Sequence, residues 1–440
     1  MSGISLAALD APAVARALSL VATRPDDIAD LYFERRLEAE LPPPDAAIGF
    51  RVRRESGLAA RLVRGDGSWL ASRDEITGRA FADALRAVAR ALPPALPEPA
   101  QLAEAAAEES RPFAELAGFG GRLERALRRR LVGFPFRLAV RWHERELRVV
   151  TPHTATGVER ERFASVEVKL PWGRCGLLAA ELDDTAAEML AERMIVHFRA
   201  REAAPPPAAH PPLLLAPGAT AVALHECVAH ALEADLLAAT GSPAQADGVE
   251  LGPGELDILD DPGSAPSGVA RAFDDEGVPA TRRWLLRGGR VAQPLADQRA
   301  ARRWPELLPG AGFRSDRHAP PLARTHHLEL LAGGTGEERL FELAQDGLYV
   351  AEIASGTLDV ATGEFVLEVP GAQRIAGGEA GGWVGRFRVR GRITSLLGGV
   401  VAVGERRESA GAGWCAKGGQ RRAVWATVPA VVVAGLEVVP

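Results

Sequence analysis

Proline interrupts this chain of 440 residues most densely at APPPAAHPP, residues 204–212, where five of nine positions are proline. A proline ring fixes the backbone and removes the amide donor, so neither a helix nor a central strand passes through such a run. The run therefore predicts an extended connector of residues 204–212 between a domain of residues 1–203 and a second domain of residues 213–440.

The two parts differ in their patterns. Before the connector, DIADLYFERRLEAEL alternates like a strand, and DDTAAEMLAERMIVHFRAREAA has the apolar spacing of an amphipathic helix. Residues 94–130 are rich in alanine and predict mainly helix. After the connector, short β-branched runs alternate with glycine turns, and predicted helices become few. We expect an α+β fold, with an N-terminal α/β domain followed by a β-rich, mostly antiparallel C-terminal domain.

Composition limits the partners. The net charge is −6, and the one arginine cluster, GRLERALRRRL, has leucines at helical spacing, which predicts a solvated helix face. No stretch reaches the roughly 18 apolar residues of a membrane helix, and the N-terminus lacks the charged start of a signal peptide. Three well-separated cysteines favour a reducing compartment. We expect a cytoplasmic protein with neither nucleic acid nor a membrane as partner.

The stretch HECVAHALEAD, residues 225–235, places His225 and His230 five residues apart around Glu226. A regular α-helix turns by about 500° over five residues, which leaves the two imidazoles roughly 140° apart. A single π turn brings positions i and i+5 onto one face, and such turns occur mostly at functional sites. Alternatively, His225 lies at the mouth of the helix. Both arrangements are compatible with a metal site, and two unrelated histidines are the ordinary alternative.

A catalytic zinc site needs a third protein ligand and keeps one position open. Glu233 and Asp235 are candidates by proximity on the same predicted helix. Cys415, in GAGWCAKGGQ, is the candidate by chemistry, because a thiolate suits zinc and the flanking glycines let the backbone approach closely. Cys175 and Cys227 are expected to be packing residues.

Glu226 has the position of a general base, since it follows a candidate ligand directly. A carboxylate there can accept a proton from water whose pKa the metal lowers, and the activated water then attacks a polarised carbonyl. This pattern is typical of metal-assisted amide hydrolysis.

Several stretches resemble one family. HECVAHALEAD resembles the His-Glu-x-x-x-His-x-Leu-Glu-x-Asp signature of the TldD/PmbA metallopeptidases, specifically their catalytic TldD-type subunits. AFDDEGVPA (272–280), GTLDVATGEF (356–365) and WCAKGGQ (414–420) are similar to further motifs of that family in the same order. The resemblance spans most of the chain and is tight from about residue 213 to 425.

The resemblance implies one zinc ion per active subunit, held by His225, His230 and Cys415, with Glu226 catalytic. Candidates for supporting these ligands or for binding the substrate are Glu233, Asp235, Arg324 and Lys417. The C-terminal β-rich domain then carries the metal-binding helix. Ligand identity alone leaves iron and manganese open.

The resemblance also implies a peptidase for short or unfolded peptides, with leader-peptide trimming among its relatives. The substrate is expected to bind as an extended strand. The expected protein partner is a PmbA- or TldE-like homologous subunit, or a second copy of this chain. The alternatives are a catalytically silent peptide-binding subunit and a metal-dependent hydrolase of a non-peptide amide.

This sequence departs from the family in two ways. Alanines replace the usual glycines at Ala229, Ala231, Ala234 and Ala416, where methyl groups are expected to narrow the groove or limit a helix bulge. LARTHHLEL keeps the family's arginine as Arg324, but His326 and His327 stand where the family tends to have Thr-Asn, so the resemblance implies the chemistry more strongly than the substrate preference. His327 is a further candidate ligand.

Overall fold

The computed structural model describes residues 5–42, 50–89, 113–171, 173–206, 208–238, 240–241 and 246–440. Part of the alanine-rich stretch that was predicted to be mainly helical, residues 94–112, lies outside these ranges. Its remainder is helical from Phe113. No helix among the described residues is long and apolar enough to span a membrane.

The first half of the described chain forms one sheet with four helices. The helices are α1 (Ala11–Ser19), α2 (Gly78–Val88), α3 (Phe113–Arg130) and α4 (Asp184–Arg199). The strands are β1 (Ile28–Glu40), β2 (Arg51–Arg64), β3 (Gly67–Arg73), β4 (Arg137–Val150), β5 (Glu159–Leu170) and β6 (Gly173–Ala179). They pair in the order β3-β2-β1-β4-β5-β6, and every pair is antiparallel.

Alternation along β1 places its side chains on two different surfaces. Leu31 and Phe33 pack into a core with α1 and α2. Tyr32 and Glu34 point to the opposite face and are nevertheless fully buried, because the second half of the chain covers that face. The predicted helix α4 is confirmed, and its cap is Asp183, whose side chain accepts the amide hydrogen of Ala186.

The second half is richer in strands. Its helices are α5 (Pro217–Leu224), α6 (Ala234–Leu237), α7 (Gln298–Arg303), α8 (Glu337–Leu343) and α9 (Ile393–Gly398). Its strands are β7 (Leu213–Leu215), β8 (Ile258–Asp260), β9 (Arg283–Arg287), β10 (Arg290–Val291), β11 (Gly312–Phe313), β12 (Leu322–Ala323), β13 (His327–Leu330), β14 (Leu348–Val350), β15 (Ser355–Asp359), β16 (Glu364–Val369), β17 (Ala372–Ala376), β18 (Glu379–Val384), β19 (Phe387–Arg392), β20 (Val400–Lys417), β21 (Gln420–Val433) and β22 (Glu437–Val439).

Most of these strands join one large sheet in the order β10-β9-β8-β13-β21-β7-β14-β17-β18, with β20 paired to β21. Two pairs in it, β13 with β21 and β7 with β14, are parallel, and the others are antiparallel. A smaller sheet has the order β15-β16-β19-β22. The α+β class, with a mostly antiparallel C-terminal part, is confirmed. Within the predicted connector, Ala209 forms a bridge with Val438, and the domain limits at residues 204 and 212 stay predictions.

Buried charges join the two halves. Arg145 on β4 donates to Glu34 on β1 at 3.0 Å and lies 3.2 Å from the carboxylate of Asp275 in the second half. Arg271 approaches Asp275 from the other side at 3.0 Å. Burial opposes ionisation, yet Arg145 and Arg271 outweigh it and hold the pKa of Asp275 below its usual range. This part of the interface is therefore a network of buried charges, whereas a neighbouring part is apolar, where Leu178 packs with Val269 and Trp425.

His326 belongs to this interface and is held neutral there. A guanidinium can only donate, so Nδ1 of His326 accepts the hydrogen bond from Arg422 at 2.9 Å. The ring proton is therefore on Nε2, which donates to the carbonyl of Val269 at 2.6 Å. Burial lowers the pKa of His326 well below its ordinary value, and the charge of Arg422 adds to that shift.

This neutral histidine predicts a loss of stability in mild acid. Below the ordinary pKa of 6.5, His326 binds a proton in the unfolded chain but stays neutral in the folded protein. Protonation therefore favours the unfolded chain, and the free energy of unfolding declines as the pH falls below 6.5. Relative to His326→Gln, the wild type is expected to lose about 2 kcal/mol of unfolding free energy between pH 7.5 and pH 5. Urea denaturation at the two pH values measures the difference. The exposed His153→Gln is the control, and equal pH dependence in wild type and His326→Gln would contradict the assignment.

Candidate metal centre

A single π turn lies between the two histidines of the motif. Helix α5 runs through buried residues to Leu224, and residues 225–229 form the π turn. The amide of His230 donates to the carbonyl of His225, which is the five-residue hydrogen bond of that turn. Of the two arrangements predicted, the π turn is the one observed. It forms with Ala229 fully buried in place of the family's usual glycine.

The motif does not continue as one helix, so that part of the sequence prediction was wrong. A short 3₁₀ turn covers residues 230–232, and Glu233 then adopts an extended conformation. The neighbouring chain explains the break, because Leu295 exchanges backbone hydrogen bonds with Leu232 and Ala234. The break lets the side chain of Glu233 turn back towards His230.

A β-hairpin brings in the third ligand candidate. Gly418 and Gly419 both have positive φ angles, which a two-residue hairpin turn requires, and they join β20 to β21. Cys415 and Lys417 are two residues apart on β20 and therefore share one face of the strand. That face meets the histidine motif, because Lys417 binds Glu233 there.

The side chains of His225, His230 and Cys415 converge. One nitrogen of each imidazole and the Cys415 sulfur all lie within 4.8 Å of one another. The sulfur is 3.5 Å from Nε2 of His230, and the two imidazole centroids are 4.7 Å apart. Among the described residues, this is the group of histidine, cysteine and carboxylate side chains whose spacing suits a metal ion.

The electrostatics of the three side chains favour metal binding. Burial opposes a charged sulfur, yet His225 and His230 outweigh it and lower the pKa of Cys415. Neither ring nitrogen of His225 has a hydrogen-bond partner of ordinary geometry among the described residues, although both are buried. A thiolate beside two imidazole nitrogens is a donor set that a divalent ion satisfies, so the residues present fit a metal.

Glu233, Asp235 and Lys417 form a hydrogen-bonded group next to the ligand candidates. Nδ1 of His230 contacts Glu233 at 2.8 Å, which directs Nε2, on the opposite side of the ring, towards the Cys415 sulfur. The Lys417 ammonium lies 2.9 Å from Glu233 and donates to Asp235 and to the carbonyl of Ala323, both at 2.6 Å. One lysine thus ties the motif, the hairpin and the segment before Arg324 together.

Glu226 is half-buried and directly follows the ligand candidate His225. Burial raises the pKa of its carboxyl group, whereas His225 and His230 oppose that rise. Strand β15 packs against it: a Cβ atom at Gly356 would lie 2.7 Å from Cγ of Glu226. Sequence reasoning did not assign this contact, although Gly356 opens GTLDVATGEF, a segment already noted for its resemblance to the family.

Three of the other candidates do not face the cluster, whereas Arg324 contacts it. Cys227 packs in the core of the second half and Cys175 in that of the first, as expected. Nδ1 of His327 contacts Ser264, and Nε2 contacts Thr427, so its ring does not face the cluster. Arg324 is fully buried and donates to the carbonyl and the sulfur of Cys415 at 2.9 and 3.1 Å.

A family model described as the PmbA/TldA metallopeptidase C-terminal domain matches residues 209–439, more than half of the chain. The chain belongs to this metallopeptidase family. The three ligand candidates and Glu226 all lie within the matched residues of this PmbA/TldA family member.

Individual relatives agree with the family assignment. A metalloprotease of Synechocystis sp. is 28% identical over 214 residues, which is 48% of this chain and 45% of that protein. A metalloprotease TldD homolog of Haemophilus influenzae is 27% identical over 229 residues, 52% of this chain and 48% of that protein. The matches thus span about half the length of these relatives. The crystal structure of TldE from Thermococcus kodakarensis superposes with a TM-score of 0.72 at 17% identity, covering 97% of this chain and all of that one, which shows a shared fold.

Proposed function

We propose that this chain is a zinc-dependent peptidase that hydrolyses short or unfolded peptides. The convergence of His225, His230 and Cys415 beside Glu226 carries the proposal. Two imidazoles and one thiolate are ligands that zinc prefers, and three protein ligands leave a fourth position for catalysis.

Each residue of the cluster then has a defined task. When bound, zinc supplies a Lewis acid that polarises the scissile carbonyl. Glu226 accepts a proton from the attacking water as general base. Glu233 keeps His230 in the tautomer whose Nε2 can bind the ion, and Lys417 holds Glu233 in place.

An outer strand that contacts Glu226 supports a peptide substrate. Strand β15 is the outer strand of its sheet among the described residues, and Gly356 on it contacts the catalytic candidate. A peptide that adds to such an edge is held mainly through its backbone, so affinity depends little on its side chains. This geometry suits unfolded chains better than a small non-peptide amide. One function that fits such a substrate is the trimming of a leader peptide from a ribosomally made natural product.

Gly356→Ala is expected to lower peptide hydrolysis by about 100-fold while zinc content stays at the wild-type level. A methyl group at this position overlaps Glu226 Cγ and Leu367 Cδ2, at 2.7 and 2.8 Å, and displaces the base from its place near the ligands. Gly381→Ala is the matched control, since the methyl group there meets no described atom within 4 Å. Steady-state kinetics with an unstructured peptide measure the effect, and unchanged activity of Gly356→Ala would show that Glu226 tolerates the displacement.

Metal content and cleavage, measured together, test the proposal. Wild type, His230→Ala, Cys415→Ala and the control Cys175→Ala are purified without added metal, analysed by mass spectrometry and assayed on an unstructured peptide. Wild type and control are expected to hold about one zinc per chain and to cleave. The two ligand variants are expected to lose both properties. A metal-free wild type, or full occupancy in Cys415→Ala, would overturn the site.

Two extensions of this experiment, an added homologous subunit and small amides as substrates, separate the alternatives. Zinc without cleavage, even with a homologous subunit present, indicates a silent peptide-binding subunit. Cleavage of small amides but not of peptides indicates a non-peptide hydrolase.

We infer that the active form pairs with a PmbA- or TldE-like subunit or with a second copy. The shared fold with TldE supports a partner of this kind. The three unbridged cysteines are consistent with the cytoplasm.

A further inference from the structure

Arg324 stands apart from the other fully buried arginines. Arg271 and Arg314 each lie within ion-pair distance of carboxylates. Arg324 has no ion pair with any carboxylate of the described residues, and its Nε and Nη1 make no hydrogen bond there. Its contacts are those of Nη2 with the carbonyl and the sulfur of Cys415. A buried guanidinium without a counter-ion is strongly destabilising, so the sulfur is the anion available to balance it.

The backbone around Arg324 is fixed independently of the sulfur. The Arg324 amide donates to the carbonyl of Ala311 at 2.9 Å, and Lys417 holds the carbonyl of Ala323. On the other side, the Thr325 hydroxyl donates to Asp260 at 2.6 Å. The backbone that carries Arg324 is therefore held by contacts that do not involve the Cys415 sulfur, which suits a group that orients a ligand.

We propose that Arg324 is a positioning residue that holds the Cys415 sulfur towards His225 and His230 and withdraws negative charge from it. The proposal rests on the zinc site proposed above. A hydrogen bond from a cation to a ligating sulfur reduces the charge that the sulfur donates to the metal, and such bonds tune thiolate sites in general. With this hydrogen bond, the bound ion is a stronger Lewis acid than it would be with a thiolate ligand that accepts no hydrogen bond.

Cobalt(II) in place of zinc gives a readout that does not depend on activity. Wild type loaded with Co²⁺ is expected to show a sulfur-to-cobalt charge-transfer band that Cys415→Ser lacks. In Arg324→Met the band is expected at longer wavelength, because a thiolate without its cation gives up an electron at lower energy. Arg324→Gln keeps a planar polar group but no charge, and its charge-transfer band is expected to shift in the same direction. This variant replaces Arg324→Met in the test if the methionine variant does not fold.

Arg283→Met is the matched control. Arg283 is also buried and gives one hydrogen bond to a backbone carbonyl, that of Pro309, without contacting Cys415. The charge-transfer band of cobalt-loaded Arg283→Met is expected at the wild-type wavelength. A band present in wild type, absent from Cys415→Ser and unmoved in both Arg324 variants would overturn the role of Arg324 and leave the zinc site standing. No band in wild type, or a band retained in Cys415→Ser, would instead refute the zinc site itself.

Discussion

Replacing Glu226 with glutamine is expected to lower peptide hydrolysis by about 10²- to 10⁴-fold and to leave the zinc content near one per chain. The amide keeps the size of the side chain but cannot accept a proton from the attacking water. In the proposed site the ligand atoms come from His225, His230 and Cys415, so the zinc content is not expected to depend on Glu226. Peptide-cleavage kinetics and metal analysis on the same preparations measure the two effects separately.

Glu167→Gln is the control for this substitution. Glu167 is also half-buried but lies on β5 of the first sheet, beside Lys169 at 2.9 Å. Its replacement is expected to leave both cleavage and zinc unchanged. Activity within tenfold of wild type in Glu226→Gln would exclude Glu226 as the general base.

Asp275→Asn is expected to lower the free energy of unfolding by about 3–5 kcal/mol. The substitution removes the negative charge that faces Arg145 and Arg271 in a region without solvent access, and it leaves both guanidinium groups without that counter-charge. Removing one partner from a buried ion pair is costly, because the remaining charge has no water to solvate it. Urea denaturation followed by tryptophan fluorescence measures the loss.

Asp74→Asn provides the comparison at the surface. Asp74 also pairs with an arginine, Arg317, at 2.6 Å, but its side chain is 76% exposed. Its replacement is expected to cost less than about 1 kcal/mol, since water screens and replaces an exposed pair. Equal losses in the two variants would mean that the network around Asp275 does not hold the two halves together.

Local patterns in the sequence predicted several parts of the fold. The alternation in DIADLYFERRLEAEL gave β1, and the spacing in DDTAAEMLAERMIVHFRAREAA gave α4. The glycine pair after Lys417 is consistent with the hairpin of β20 and β21. These features depend on hydrogen bonds and side-chain contacts between residues near one another in the chain, so a short stretch contains the information.

Other features were not predictable from short stretches. The polar face of β1 is buried rather than solvated, because arginines from distant segments neutralise Glu34 and its neighbours. The motif helix breaks at Glu233, because Leu295 supplies competing backbone hydrogen bonds. Both outcomes follow from contacts between residues far apart in sequence, which periodicity does not encode.

The candidate site shows the same division. The sequence by itself determined the residue types and the five-residue spacing of His225 and His230, and hence that a regular helix could not bring them together. It left Glu233, Asp235 and Cys415 open as third ligand until the family resemblance favoured the cysteine. Only the tertiary structure placed the sulfur 3.5 Å from His230 and turned Glu233 to the far side of that ring. The physical reason is that sheet pairing and buried charge, acting across some 190 residues, set these distances.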